Sequence, residues 1–415
     1  DHRDLHSFPT RRSSDLSGID ENTRNEFVGT GEEIDFARAL PEIDVIVGGH
    51  SHTAIFEPAV VGGRTPVLQA GSEARFLGEA LFARDGQRWK MTEYKLHRID
   101  DSIPGDRAIS SRIDELKTEV SRRILGPLKL LFDQPIIETS QDLTRDFNDP
   151  YLGNILAEAI RQAGKGDIAI TSNGVIRDDV IKGRTGIQQV SDIFRLSPLG
   201  IGEVDDAPGY PLIKYHFTGK DLKAIAEILA VGYRMRGNSY YPRMAGIRFY
   251  YNPYRMPFDT VYRIEVGTPQ SGYQEIAFDE QKLYSVVVTS YVGQFMSLIE
   301  NLSKGLLTAT PRHADGKPVE KLSDAIIDAD PDRAGVQEIK EYAAVMLYLK
   351  GLRADGLPKF PLNKETGEIR MVRAPGLTTL FTNAGITYLY LPIALGAGAL
   401  VFYLIRRRRN KKQGG

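Results

Sequence analysis

The sequence predicts a chain of mixed α/β (α+β) class, with two domains followed by one C-terminal transmembrane helix. Three observations carry that expectation. Near the beginning, a helix-forming run, a β-branched run and a glycine turn follow one another. From about residue 128 the same alternation starts again. Near the end, residues 386–405 form a 20-residue stretch without a charge.

Composition narrows the class. The chain has 415 residues and no cysteine, so a disulfide scaffold, a thiolate metal site and a cysteine nucleophile are all excluded. Its 53 basic and 54 acidic side chains look balanced, but six of the basic ones crowd residues 406–415 (RRRRNKKQGG). The remaining body is mildly acidic, which gives no support for nucleic-acid binding.

Residues 31–40 (GEEIDFARAL) carry helix formers at apolar spacing, and Pro41 stops them. Residues 43–47 (IDVIV) read as a strand, followed by Gly48-Gly49 and His50-Ser51-His52-Thr53. Residues 67–70, 77–83 and 89–98 read as strands in hairpin order. The charged amphipathic run 108–125 reads as a linker helix. Residues 150–163 (PYLGNILAEAIRQA) predict a helix with Pro at its start and Gly164 behind it. Strands are expected at 167–171, 215–218, 245–250, 261–266 and 283–289, with helices at 222–230 and 336–348. The stretch 240–258 is dense in Tyr, Arg and Pro; its tyrosines either pack a loop or line a cleft.

The end of the chain reads as a membrane anchor. Twenty uncharged residues span about 30 Å as a helix, a bilayer core's thickness. Tyr388, Tyr390 and Tyr403 stand where interfacial aromatics stand. The positive-inside rule makes the tail at 406–415 cytoplasmic and puts the body, external, on the other side. Residues 351–385 are then a juxtamembrane linker. At the other end, residues 1–16 (DHRDLHSFPTRRSSDL) are polar, lack a signal-peptide core, and read as a non-native leader.

His50 and His52 carry the clearest chemistry. In extended backbone, side chains at i and i+2 point to the same side, so both imidazoles are expected to face one pocket. Neutral imidazole suits Zn, Fe, Mn or Ni, and two such groups suit adjacent ions of a two-metal site. Taken alone, His-x-His is more often a surface or structural pair. Asn173, Gly174 and Arg177 follow a strand, where a carboxamide reads a base or ribose edge and a guanidinium grips phosphate. The alternative is a turn with a solvated arginine. His216, on the alternating run KYHFT, reads as structural.

DVIVGGHSHT closely resembles the last metal-ligand motif of calcineurin-like metallophosphatases. With GEEIDFARALPEI before it and PVLQAGSEARFLGEA after, it is similar to the 5′-nucleotidase branch. YLGNILAEAI, SNGVIRDDVIKGRTG, VSDIFRLSPLG and KYHFTGKDLKAIAE resemble successive segments of that family's carboxy-terminal domain. The resemblance spans about residues 17–300. It implies the C-terminal part of a metallophosphatase β-sandwich at 17–104, a linker at 105–127 and a substrate-binding domain at 128–350. It also implies two divalent metal ions, with His50 on one and His52 on the other, and hydrolysis of a nucleotide or related phosphoester by metal-activated water. The family's other ligand motifs are not found, so the chain is expected to be N-terminally truncated and inactive as it stands. The rival reading is a non-catalytic surface binding protein.

Arg177 matches the family's loop arginine. Asn173 stands one position later than the usual Asn, and Arg145 lies about one residue from a family arginine. The family stacks its base between two rings. Here Leu199 replaces the first, and Phe295 stands where the second is expected unless it is a core residue of the next helix. This leaves other phosphoesters, cyclic nucleotides and nucleotide sugars as candidate substrates.

Overall fold

Three carboxylates, of Glu32, Glu33 and Asp35, open the first helix, α1 (Glu32–Ala39), at the end where the helix dipole favours negative charge. The computed structural model describes residues 31–100, 102–146, 148–279, 281–353, 356–361, 367–385 and 387–388. They fall into two compact units divided between Asp114 and Glu115.

In the first unit α1 buries Ile34 and Ala37 against Ile46, Ile55 and Val67. The strand run at 43–47 is regular only at β1 (Ile46–Val47). β2 (Ala59–Val61) pairs antiparallel with β3 (Thr65–Leu68), and β3 pairs parallel with β1. β4 (Phe76–Asp85) and β5 (Arg88–Arg98) form a hairpin of their own. Among the described residues, the expected partial β-sandwich is therefore a small mixed sheet plus a separate two-stranded ribbon. α2 (Arg107–Val120) crosses the division with no buried residue, then widens into a π-helical turn at Ser121–Leu125 and tightens into a 3-10 turn at Gly126–Leu128.

The second unit is built on β6 (Pro135–Thr139), α3 (Pro150–Ala163) and β7 (Ile168–Ser172). Asp149 caps α3 by accepting the Tyr151 amide at 3.0 Å. β8 (Ile187–Gln189) and α4 (Val190–Phe194) follow, then β9 (Leu212–Phe217) and α5 (Gly219–Arg236). The strand expected at 215–218 starts earlier, and Thr218 leaves it to cap α5. Its hydroxyl accepts the Asp221 amide, while the Asp221 carboxylate accepts the Thr218 amide. The strand expected at 245–250 is two strands, β10 (Pro242–Ala245) and β11 (Ile247–Tyr251), in different sheets. They divide at Gly246, whose φ of 77° and 2.0 Å clearance from the Asp167 carbonyl exclude a side chain.

β12 (Val261–Thr268), β13 (Gly272–Glu275), β14 (Tyr284–Thr289), α6 (Ser290–Gly293) and α7 (Ser297–Ser303) come next. α8 (Glu341–Gly351) starts five residues later than expected. Lys340 is held against Pro211 in a β-bridge and ion-paired to Asp205 and Glu338, so helix begins only beyond it. β15 (Lys359–Phe360), β16 (Gly367–Met371) and α9 (Leu377–Phe381) complete the described elements.

Three sheets result, ordered β10-β7-β14-β9, β13-β12-β11-β16 and β15-β6-β8. The first is buried on both faces, which explains why β7 and β14 read as continuous apolar runs. Ile168, Ile170, Val286 and Val288 pack with Leu222, Ile225 and Ile228 of α5. The intervening Ala169 and Val287 join Ile160 of α3 and Ala344 of α8 on the opposite face.

The expected transmembrane helix needs correction. Among the described residues no helix is long and apolar enough to cross a membrane. Of 386–405 only Thr387 and Tyr388 are described; the rest of the span and the basic tail lie outside the described residues, as does the leader at 1–16. Thr387 is buried, its amide donating to the Asp259 carboxylate at 3.0 Å, and the same carboxylate accepts the Gly385 amide. Asp259 in turn pairs with Lys223 at 2.6 Å. An apolar pattern read without its neighbours missed this docking onto a buried acid.

Candidate functional site

The two strand ends that the sequence singled out are built differently. After β1 the chain bends, and His50 and His52 sit at φ of 68° and 60°. The expectation that both imidazoles face one pocket assumed extended backbone, so that geometric argument fails. Gln69 holds the turn. Assigned from its hydrogen-bond network, its carboxamide oxygen accepts from the His52 amide at 3.2 Å and the Thr53 amide at 2.9 Å. Both histidines are exposed. Behind them Glu33 is fully buried, its carboxylate oxygens without a hydrogen-bond partner, and a Cβ on Gly48 would lie 3.2 Å from Oε1. Among the described residues no cluster of three His, Cys, Asp or Glu side chains could hold a metal ion. Two imidazoles on an exposed turn do not meet the needs of a metal pair, which takes three or more protein donors for each firmly held ion.

After β7 the chain forms a tight turn at Asn173–Val175, at the carboxyl end of a strand where open sheets place their sites. Asn173 is buried and both ends of its carboxamide are engaged. Nδ2 donates to the Arg145 carbonyl at 2.5 Å, and Oδ1 accepts from Arg243 Nε at 3.0 Å. It organises the corner. Arg243 is buried, donates also to the Asp146 carbonyl at 2.8 Å, and lies 5.2 Å from the centre of the Tyr241 ring. Burial pushes its pKa down from the ordinary guanidinium value. Sequence reading passed over Arg243 as part of a Tyr/Arg-rich stretch. The signal was Gly153 in the YLGN run, because a Cβ there would come within 2.2 Å of Arg243 Cδ.

Arg145 and Arg177 meet at this corner: Arg145 Nη1 donates to the Arg177 carbonyl at 2.9 Å, and Arg177 Nη1 reaches the Gly174 carbonyl at 3.4 Å. Arg145 also lies 3.9 Å from Asp179. Gly174 is packed on Ser239, so a Cβ would come 3.0 Å from that residue's carbonyl.

Arg177 and Gly174 line the mouth of a cavity of about 360 Å³, together with Tyr240, Tyr291 and Phe295. Phe295 is 40% exposed, so it is a rim residue and not part of the core. Leu199 is also exposed and does not line the cavity. The aromatic surface comes from elsewhere: Tyr210 stacks on Tyr291 (5.2 Å, 26°), and Tyr291 meets Phe295 edge-on (5.1 Å, 81°). Tyr240 belongs to the cavity rim, while Tyr250 and Tyr251 are buried on β11. His216 lies on β9 opposite Ser285, with its pKa lowered by burial.

Residues 133–296 match the family described as 5′-nucleotidase, C-terminal domain. The trifunctional nucleotide phosphoesterase protein YfkN of Bacillus subtilis is 24% identical over 278 residues, 64% of this chain and 18% of that protein. A 5′-nucleotidase-related protein of Glossina morsitans morsitans is 22% identical over 307 residues, 65% of this chain and 52% of its own. The chain thus spans about half or less of the curated relatives it matches. Among solved structures, a 5′-nucleotidase precursor from Thermus thermophilus superposes at a TM-score of 0.48 with 19% identity, covering 79% of this chain and 59% of that one.

Proposed function

We propose, from the premise that residues 133–296 belong to the 5′-nucleotidase C-terminal domain family, that the chain serves a phosphoester hydrolase of the 5′-nucleotidase type. Its second unit holds a nucleotide or related small phosphoester. One observation supports the reading most: Arg145 and Arg177 meet after β7, with Arg177 at the mouth of an aromatic-rimmed cavity. A guanidinium offers a fork of N–H donors matched to phosphate oxygens, and the aromatic rim offers stacking surface to the ester's organic part.

In this reading Arg177 grips the anion and Arg145 adds a second positive charge beside it. Asn173 and Arg243 fix the turn that carries Arg177. Two divalent ions, which the resemblance implies, would lower the pKa of a bound water and spread phosphoryl charge. His50 and His52 are the donors proposed for them. The described residues provide only this pair, too few donors to hold two ions.

Titration calorimetry with AMP tests the recognition half. Micromolar to millimolar binding is expected, weakened at least tenfold by Arg177→Ala, which corresponds to about 1.4 kcal/mol. Unchanged affinity in that variant would remove the arginine from the site.

The incomplete donor set at His50 and His52 favours a second reading, a binding protein without turnover. Phosphate release from AMP with added Mn²⁺ or Zn²⁺ that disappears in His50→Ala supports the hydrolase and overturns the binding-protein reading. AMP binding without turnover fits the binding protein and equally a hydrolase short of its remaining metal ligands.

A further inference from the structure

The cavity behind Arg177 does not stop at the rim. It runs inward as a slot between two walls of the second unit. One wall is the sheet β10-β7-β14-β9, through Tyr215 and Phe217 of β9 and Val286 and Val288 of β14; the other is α5, through Ile225 and Ile228. Its volume of about 360 Å³ is roughly twice that of an apolar cavity known to hold one benzene. Of the six hydroxyl-bearing residues that line it, Thr171 and Tyr215 are buried while Ser172, Ser239, Tyr240 and Tyr291 are at least partly exposed, and the Thr171 hydroxyl has no hydrogen-bond partner. Every charged side chain that lines the slot is at its mouth, where Arg177 stands alone.

This lining says what kind of organic group fits. A purine carries ring nitrogens and an exocyclic substituent that need hydrogen-bond partners once water is removed, and the two buried hydroxyls cannot satisfy them. An apolar ring system has no such requirement and gains from every part of the wall it covers.

We infer that the site takes a phosphoester whose alcohol carries an apolar, naphthalene-sized ring system. The rings enter the slot, and the phosphate stays at the mouth on Arg177. The inference rests on the phosphoester reading above and names its substrate class.

The test is titration calorimetry of the full chain with 1-naphthyl phosphate, AMP and inorganic phosphate at two temperatures. The expected result is that 1-naphthyl phosphate binds at least tenfold more tightly than either of the others. It should also bind with the most negative heat-capacity change, as burial of apolar surface requires. Val292→Trp fills the slot with an indole and should bring 1-naphthyl phosphate down to the affinity of inorganic phosphate. If that variant does not fold, the heat-capacity comparison on the unsubstituted chain decides. AMP binding as tightly as 1-naphthyl phosphate overturns this inference while leaving the phosphoester reading standing. Absence of binding by all three overturns both.

Discussion

The turn after β1 and the turn after β7 start from the same local recipe, a short apolar strand running into glycine and polar residues. They end in opposite conditions. His50 and His52 are exposed, sit in left-handed backbone and lie on a turn whose amides Gln69 accepts. Asn173 is buried and tied by its amide to Tyr241, by Nδ2 to Arg145 and by Oδ1 to Arg243. The first turn displays donors that have no cluster around them among the described residues. The second has used its donors to build a rigid base for a neighbouring arginine. A side chain that looks functional in sequence is therefore as readily spent on holding a loop as on binding a ligand. Counting its hydrogen bonds distinguishes the two.

The largest effect that sharpens this contrast is expected at Arg243. Arg243→Ala strips partners from the Asn173 carboxamide and the Asp146 carbonyl and leaves a void against Tyr241. A loss of about 3 kcal/mol is expected in denaturant unfolding, together with loss of AMP binding. A cost below about 1 kcal/mol would mean that the second turn is not wired as described.

Next in size is a pH effect at Glu341, buried at the start of α8 with Oε1 unpartnered. Burial pushes its pKa up to about 8 from the ordinary 4.5. The folded chain therefore keeps this proton where the unfolded chain gives it up. The stability it contributes is complete below pH 4.5 and is lost as pH rises through 8, at about 1.4 kcal/mol per unit. Glu341→Gln should flatten that decline, so the variant melts higher than the parent at pH 8 and equally at pH 4. Parallel melting curves against pH would refute it.

The smallest effect belongs to the first turn. His50→Ala and His52→Ala should each change unfolding stability by no more than about 0.5 kcal/mol, because exposed side chains lose little packing. A drop beyond about 2 kcal/mol in either would erase the contrast between the two turns.

Much of the second unit was legible. The Pro150-to-Gly164 helix is set by a proline start, an apolar stripe and a glycine stop, all local signals, and α3 matches it residue for residue. The strands β7 and β14 announced themselves as apolar runs. What was not legible depended on partners far along the chain. The break at Gly246 follows from the Asp167 carbonyl, and the delayed start of α8 from Lys340 held by Asp205. Among the site residues, Arg177 and Phe295 were named from sequence and both line the cavity. Tyr240 was among the tyrosines read as either cleft or packing, and it lines the cavity; Arg243 was not named, since it stands in no pattern of its own.

By itself the sequence determined which segments become helix and strand, that imidazole and carboxylate replace thiolate as possible metal donors, and that an arginine follows β7. These follow from side-chain volume, periodicity and donor type, which are properties of neighbours in the chain. Only the tertiary structure decided that His50 and His52 lack the extended geometry expected of them, that Asn173 serves Arg243, and that an apolar slot opens behind Arg177. Those outcomes depend on groups distant in sequence competing for the same hydrogen bonds and the same space.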